Sequence, residues 1–173
     1  MVIWLTGLSG AGKSTIAADF IKLVKPRLPA LVLIDGDVIR TIFGSDLTYA
    51  ECDRQKQINR IQNIAKFLND QSIPVIVTAL YSNPQLLQWN RENLLGYYEV
   101  YINTPFNTVV ERDVKGIYQS IGTAIKPNIV GFDIPWQEPK SPDLIIDTVE
   151  SQPYACSQKI INSVPGLMKL INL

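Results

Sequence analysis

The stretch GLSGAGKST, residues 7–15, constrains the fold of this chain most strongly. It matches the pattern G-x-x-x-x-G-K-[ST] through Gly7, Gly12, Lys13 and Ser14. The apolar run VIWLT precedes it, and a stretch with helical spacing follows it. A glycine-rich turn between a strand and a helix N-terminus presents backbone N–H groups and a partial positive charge to phosphate. The pattern therefore predicts a phosphate-binding loop (P-loop).

Each side chain of this loop has an expected role. Lys13 should reach the β- and γ-phosphates of a nucleoside triphosphate, and the Ser14 hydroxyl should ligate Mg²⁺. The other candidate phosphate-binding residues are Gly7, Ser9, Gly10, Ala11, Gly12 and Thr15. The loop thus predicts a phosphoryl donor such as ATP bound with Mg²⁺, but it does not identify an acceptor.

Four more apolar runs follow the first one, at residues 31–34, 74–79, 98–102 and 144–147. They are apolar on both faces, which is typical of parallel strands buried beneath helices. Segments with helical spacing separate them, at residues 13–24, 50–69, 84–94 and 106–113. This alternation predicts one α/β domain over residues 1–173, with a five-stranded parallel sheet, helices on both faces and ligands at the carboxyl ends of the strands.

Composition excludes several classes of function. Lys plus Arg number 16 and Asp plus Glu number 16, so the zero net charge argues against nucleic-acid or membrane partners. The chain has no histidine, which excludes Ser-His and Cys-His catalysis. No apolar run approaches the roughly 20 residues of a membrane span. We expect a soluble cytoplasmic protein in which Cys52 and Cys156 are free thiols.

The segment from about residue 114 to 142 is long for a connection within a compact domain, and it contains three glycines and four prolines. Loops of this length are usually lids or binding loops, so we predict a lid over about residues 112–142. The C-terminal stretch SQKIINSVPGLMKLIN predicts a helix broken at Pro165 that serves packing.

Two carboxylates follow the second apolar run, in IDGDVIR. Asp35 and Asp37 flank Gly36, and Arg40 follows. Two like charges this close are costly without a positive partner, which the Mg·ATP phosphates together with Arg40 could provide. A carboxylate there can contact Mg²⁺ through water or accept a proton from an attacking hydroxyl. Alternatively, Asp37 caps a helix formed by VIRTIF, and the two roles are compatible.

Several segments occur in the order seen in adenylylsulfate (APS) kinases: GLSGAGKST, IDGDVIR, DLTYAECDR, VYINTP, ERDVKGIY, the turn at residues 131–133, and PKSPDLIIDT. The chain resembles that family over roughly residues 2–148. The resemblance implies transfer of the γ-phosphoryl group of ATP to the 3′-hydroxyl of adenosine 5′-phosphosulfate. Members of the family are often dimers, so the resemblance also implies a possible homodimer.

The resemblance assigns roles to further residues. Asp35 would be the catalytic base or a metal-side carboxylate, and Arg112 and Lys115 of the lid would meet the nucleotide or the transferring phosphoryl group. Tyr49 stands where the family has a phenylalanine that stacks on the base of the acceptor. The other residues implied to bind the acceptor are Asp37, Arg40, Arg54, Gln57, Ser82, Lys126, Val130 and Gly131. Without the resemblance, Arg54 and Arg60 would be interpreted as solvated charges on a helix.

The departures from the family pattern fall in the acceptor half. Gln57 replaces an asparagine that touches the acceptor, and Asn59 replaces an arginine. After the third strand, Arg91 is the only cation where the family has several arginines. Residues 129–131 are Ile-Val-Gly instead of Phe-Thr-Gly. Three functions stay open: phosphorylation of adenosine 5′-phosphosulfate, phosphorylation of another 5′-modified nucleotide such as cytidine diphosphoramidate, and nucleotide binding without catalysis.

Overall fold

The computed structural model describes residues 1–44, 46–80, 83–113, 116–118 and 128–171. Its centre is a parallel sheet of five strands in the order β2-β3-β1-β4-β5. The strands are β1 (Val2–Thr6), β2 (Val32–Asp35), β3 (Val75–Ala79), β4 (Tyr97–Asn103) and β5 (Leu144–Asp147). This sheet confirms the predicted α/β class, and each strand lies within one residue of the predicted bounds.

Seven helices connect or follow these strands in the described part of the chain. They are α1 (Lys13–Val24), α2 (Gly36–Ile42), α3 (Glu51–Asp70), α4 (Pro84–Asn93), α5 (Phe106–Arg112), α6 (Pro153–Ser163) and α7 (Leu167–Ile171). The predicted C-terminal break is present, because α6 and α7 lie on either side of Pro165. The largest difference concerns α2, which begins at Gly36 and not after Asp37.

The core surrounds the two central strands. Every residue of β1 and β3 is buried, with no alternation along either strand, as expected for parallel strands covered on both faces. Helix α1 packs against α6 and β3, whereas α3 packs against β3, α2 and α4. Trp4 and Phe20 are among the largest fully buried side chains. Their burial anchors the strand before the P-loop and the helix after it.

The register of the sheet brings three polar residues together at the carboxyl ends of the strands. Thr6, which precedes the P-loop, pairs with Ala79, and Asp35 at the end of β2 pairs with Thr78 of β3. Because all strands run parallel, their carboxyl ends meet at the same side of the sheet. The P-loop, the acidic end of β2 and the polar end of β3 are therefore neighbours.

Two further expectations concern thiols and membrane spans. Cys52 is exposed and Cys156 is buried, and both are free, as predicted. Within the described ranges, no helix is both long and apolar enough to cross a membrane.

Candidate active site

The P-loop is held by a tight contact between Gly7 and β4. A Cβ atom added to Gly7 would lie 2.5 Å from the carbonyl oxygen of Ile102, so only glycine fits at this position. Gly12 is the N-cap residue of α1, and it has no side chain that could accept a hydrogen bond from the first turn of the helix. A helix N-terminus without a side-chain cap suits an anion, because its first N–H groups lack intrahelical partners.

Lys13 folds back onto the loop. Its Nζ donates hydrogen bonds to the carbonyl oxygens of Gly7 at 2.8 Å and Leu8 at 2.7 Å. Both oxygens belong to the backbone that would enclose the phosphates. A bound nucleotide would therefore find the ammonium already at the loop and would only have to redirect it.

Asp35 is the polar centre of the site. Its Oδ2 accepts hydrogen bonds from Ser14 Oγ at 2.8 Å and from Thr78 Oγ1 at 2.7 Å. Its Oδ1 accepts from the backbone N–H of Asp37 at 2.9 Å. Burial raises the pKa of Asp35, but the hydrogen bonds from Thr78, Ser14, Asp37 and Val38 outweigh burial and hold the pKa below its usual value. Asp35 is therefore ionised at neutral pH.

The helix cap is Asp35 and not Asp37, so the capping alternative for Asp37 is wrong. Asp35 has an extended backbone and accepts from the N–H groups of the first turn of α2, as an N-cap residue does. Asp37 lies in that first turn with an exposed side chain. Gly36, the first residue of α2, packs closely on β3, since a Cβ atom there would lie 3.1 Å from Thr78 O.

Arg40, Tyr49 and Arg54 form a group beside α2 that we call the arginine–tyrosine cluster. The guanidinium of Arg40 lies 4.7 Å from the centre of the Tyr49 ring, and that of Arg54 lies 5.4 Å from it. Arg40 also donates to the carbonyl oxygen of Leu47 at 2.8 Å. The Tyr49 ring is 56% exposed, so a planar ligand could share it with the guanidiniums.

Arg54 also reaches the lid. Its Nε donates to Tyr49 O at 2.8 Å, and its Nη2 donates to Asn128 O at 2.7 Å. These contacts distinguish Arg54 from a solvated helix charge, whereas Arg60 stays at the surface. Arg60 pairs with both carboxylate oxygens of Asp46, at 2.7 and 2.6 Å. Arg54 thus joins Tyr49 to Asn128 of the predicted lid.

Gln57, one turn after Arg54 on α3, is 5% exposed. Its Nε2 donates to the carbonyl oxygen of Gly36 at 3.1 Å. Its Oε1 is buried and accepts no hydrogen bond from the residues that the structure describes. Three of the residues predicted for the site, Ser82, Lys115 and Lys126, lie outside the described residues.

The described part of the lid packs onto the P-loop. Tyr118 is 4% exposed, and its hydroxyl donates to Ser9 O at 3.1 Å. Burial and the nearby Asp113 raise the pKa of Tyr118 to about 12, so this hydroxyl stays a donor at neutral pH. Gly131 packs so closely that an added Cβ would lie 2.9 Å from the Phe106 ring.

Val130 and Arg112 both make contacts within the protein. Val130 is 3% exposed, and its side chain belongs to the hydrophobic core. Arg112 donates to Thr148 Oγ1 at 3.2 Å and Thr148 O at 2.7 Å. Thr148 in turn lies 2.6 Å from Thr104 Oγ1, which also contacts Ala11 O at 3.4 Å. Arg112 is thus linked to the P-loop through two threonines.

Sequence reasoning missed Thr78, Thr104, Tyr118 and Thr148. Each lies at or after the end of an apolar run, or within a segment already quoted for the family resemblance. A polar residue next to a buried strand end was the available signal. The sequence did not show which residue each of them would contact, because Thr78 lies 43 residues from Asp35, and Tyr118 lies 109 residues from Ser9.

Arg91, the cation that the sequence offers after the third strand, lies away from the P-loop. It forms ion pairs with Asp143 at 3.2 Å and with Glu99 at 3.4 Å. Glu99 lies in the first half of β4, two residues after Tyr97, which pairs with Val2 at the start of β1. These residues are at the amino ends of the strands, whereas the P-loop is at the carboxyl ends.

Comparison with known proteins gives consistent matches. The family model described as adenylylsulphate kinase matches residues 1–147. A cytidine diphosphoramidate kinase from Campylobacter jejuni is 39% identical, over 99% of this chain and 96% of that protein. An adenylyl-sulfate kinase from Geotalea uraniireducens is 32% identical, over 99% of this chain and 80% of that protein. The structure of the Mycobacterium tuberculosis APS kinase in complex with AMPPNP and APS superposes with a TM-score of 0.84 at 28% identity, covering 94% of this chain and 95% of that one.

Proposed function

The chain belongs to the adenylylsulphate kinase family and is an ATP-dependent kinase, and on that premise we propose that it phosphorylates a ribose hydroxyl of a 5′-modified nucleotide. The observation that carries the proposal is the position of Asp35. Its carboxylate contacts the P-loop through Ser14, and it caps α2, the helix that leads to the arginine–tyrosine cluster. Donor and acceptor sides therefore meet at one ionised carboxylate.

ATP would occupy the P-loop, with Lys13 redirected from the loop carbonyls to the phosphates. The residues present also fit Mg²⁺. The Ser14 hydroxyl and Asp35 carboxylate are 2.8 Å apart, and Mg²⁺ is usually held by one or two protein oxygens together with substrate phosphates. When bound, the ion would neutralise charge on the transferring phosphoryl group.

Asp35 suits an orienting and metal-side role better than strong proton abstraction. A carboxylate held below its usual pKa by four hydrogen bonds is a weak base, but it is ionised and fixed in direction. Phosphoryl transfer has a loose transition state, so positioning the acceptor hydroxyl contributes more than removing its proton early. Asp37, exposed in the first turn of α2, is the second carboxylate available to the acceptor.

Two acceptors follow from the relatives. Cytidine diphosphoramidate is the first, because the kinase named for it shares 39% identity over nearly the whole of both chains. Adenosine 5′-phosphosulfate, which the sequence motifs put first, is the second, supported by the family model and by the adenylyl-sulfate kinases at lower identity. The sequence changes at Gln57 and Asn59 in the acceptor half agree with this order.

The test is ATP turnover with Mg²⁺ over a panel of 5′-modified nucleotides, with mass spectrometry of the products. We expect acceptor-dependent ADP and a product heavier by one phosphoryl group with at least one of the two acceptors. The Lys13→Ala variant is the control and should be inactive while keeping its melting temperature. Saturable ATP binding without acceptor-dependent ADP would contradict the proposal and would favour a non-catalytic module.

A further inference from the structure

Gln57 carries a buried oxygen without a partner. Its side chain is 5% exposed, and Oε1 accepts no hydrogen bond from the described residues. Leaving a buried acceptor unsatisfied costs free energy. An unsatisfied buried atom in a native structure needs an explanation, and a bound ligand or water is one. The other buried side-chain N or O atoms without a hydrogen-bond partner among the described residues are Trp4 Nε1 and Thr6 Oγ1, both on the central strand β1.

The orientation of the Gln57 amide is determined by its neighbour. Nε2 lies 3.1 Å from the carbonyl oxygen of Gly36, which can only accept a hydrogen bond. Rotating the amide by half a turn would place two acceptors against each other. The atom left without a partner is therefore an oxygen, and it requires a donor.

Gln57 also lies on the acceptor side of the site. Gly36 directly follows Asp35, whose carboxylate contacts Ser14 of the P-loop. Arg54 is three residues before Gln57 on α3, so the two side chains share a face of the helix. Arg54 contacts Tyr49 and the lid. Gln57 thus contacts the residue that follows the ionised carboxylate and lies one helical turn from Arg54 of the arginine–tyrosine cluster.

We infer that Gln57 Oε1 accepts a hydrogen bond from an N–H of the 5′-terminal group of the acceptor nucleotide, and that it selects a phosphoramidate over a sulfate there. The inference rests on the proposed function and deepens it. A terminal phosphoramidate and a terminal sulfate carry the same charge and have similar tetrahedral shapes. Apart from the central atom, which is phosphorus in one and sulfur in the other, they differ at one peripheral position, which is an N–H donor in the phosphoramidate and an acceptor oxygen in the sulfate.

Cations cannot separate two groups of equal charge and similar shape, whereas a fixed acceptor can. Gln57 Oε1 would attract the N–H of a phosphoramidate and repel a sulfate oxygen. A site that hydrogen-bonds a substrate N–H rejects the analogue lacking it, because its own polar group stays unpaired. Gln57 is 5% exposed, so the inference requires the side chains around Oε1 to move when the acceptor binds.

The test measures dissociation constants for two nucleotides that share a base, adenosine 5′-diphosphoramidate and adenosine 5′-phosphosulfate. Calorimetry with the full chain supplies these constants whether or not turnover occurs. We expect wild type to bind the phosphoramidate about tenfold more tightly, on the scale of one hydrogen bond to a charged ligand. Gln57→Met, which has a similar length but no acceptor, should bring the ratio close to one.

The matched control is Gln62→Met on the same helix. Gln62 is 3% exposed, but its amide is bonded to Leu86 O and Asn90 Oδ1. This variant should lower the melting temperature and leave the ratio of the two dissociation constants unchanged.

Equal ratios in wild type and Gln57→Met would overturn the inference. They would mean that Gln57 only holds Gly36 or binds a water, since such a role affects both nucleotides alike. Turnover is read separately. If wild type shows no turnover, but the ratio of dissociation constants falls to about one in Gln57→Met, the proposed function is contradicted and the role of Gln57 is supported. If wild type shows turnover, but Gln57→Met leaves the ratio unchanged, the proposed function is supported and the role of Gln57 is contradicted.

Discussion

Asp35 combines two tasks at one residue, and a single substitution can separate them. Its carboxylate caps α2 and faces the P-loop hydroxyl of Ser14. Its pKa is depressed by folding, so the stability it contributes is present above the pKa of the unfolded state. That stability is lost as the pH falls through the lower folded value. Around neutral pH the carboxylate is charged, and the proposed role in transfer depends on that charge, whereas capping needs only an acceptor oxygen.

Asp35→Asn should lower turnover by about 10³-fold, because the amide keeps a capping oxygen but loses the charge. The free energy of unfolding should change by less than about 1 kcal/mol, since asparagine is an equally good N-cap. Asp35→Ala, which lacks both, should cost about 1 kcal/mol more in urea unfolding. More than a tenth of wild-type turnover in Asp35→Asn would show that the charge has no part in transfer.

Tyr49 is positioned by two arginines, which makes it the best candidate for contact with the acceptor base. Tyr49→Ala should raise the KM for the acceptor by about 5- to 150-fold, the range expected for one base stacked on an aromatic ring. The KM for ATP should stay within about twofold, because the P-loop is unaffected. Steady-state kinetics with each substrate varied in turn would measure both constants.

Phe67→Ala is a suitable control for Tyr49→Ala, because Phe67 is an aromatic side chain with 66% exposure on α3. It should change neither constant. An equal rise in both KM values for Tyr49→Ala would indicate a disturbed fold and would remove the stacking assignment.

The lid is attached to the P-loop and to α3 by a few specific contacts. Tyr118 bonds Ser9 O, and Asn128 O accepts from Arg54. Asp133 accepts from the N–H groups of Asn128 and Ile129, which closes the turn before Gly131. These contacts hold the described segment over the loop without regular secondary structure apart from one bridge between Val130 and Ile134.

Gly131→Ala should disrupt this element. Gly131 has φ +94°, and an added Cβ would lie 2.9 Å from Phe106 and 3.1 Å from Leu8 of the P-loop. We expect the lid to be displaced and the KM for ATP to rise at least about tenfold, besides a loss of about 1–2 kcal/mol for the left-handed backbone. Kinetics and urea unfolding would measure the two effects.

Gly166→Ala is the control for Gly131→Ala, because it introduces the same backbone strain without a close contact to the added Cβ. Gly166 has φ +77°, but no atom would lie within 4 Å of its Cβ. It should lose a similar free energy of unfolding and keep its KM for ATP. If Gly131→Ala also kept its KM, the packing of the lid on the P-loop would have no part in nucleotide binding.

At the scale of the whole molecule, a buried polar network ties the sheet together at the end opposite the site. Gln62 bonds Asn90, Asn90 bonds the Tyr97 hydroxyl, and that hydroxyl donates to Glu99. Arg91 joins Glu99 to Asp143, just before β5. The network therefore connects α3, α4, β4 and the end of the lid segment.

Glu99→Gln should raise the melting temperature at pH 7 by up to about 3 °C. Burial raises the pKa of Glu99, and Asp143 adds to this, while Tyr97 and Arg91 oppose it. A carboxyl whose pKa is raised on folding stabilises the fold below its unfolded pKa, and this stability is lost as the pH rises through the folded value. The gain from glutamine should therefore vanish near pH 4.

Thermal unfolding of both proteins between pH 4 and 8 would measure this difference. A melting temperature of Glu99→Gln that falls at pH 7 would mean that the ion pair with Arg91 outweighs burial.

Homodimer formation, implied by the family resemblance, stays a prediction that sedimentation equilibrium would check.

The sequence by itself determined the local features. The P-loop, the five strand positions and the break at Pro165 follow from glycine, proline and apolar patterns, which act over a few residues and depend little on the rest of the chain. The acidic end of β2 was also readable, because Asp35 and Asp37 are adjacent in sequence to a buried strand.

Only the tertiary structure decided which distant residues meet. It made Asp35 the cap and gave it Thr78 as a partner, placed Arg91 at the far end of the sheet, and left Gln57 Oε1 without a donor. These outcomes depend on strand order and on helix packing across tens of residues. A local pattern does not encode them, because burial and hydrogen bonding are settled by whatever the fold brings alongside.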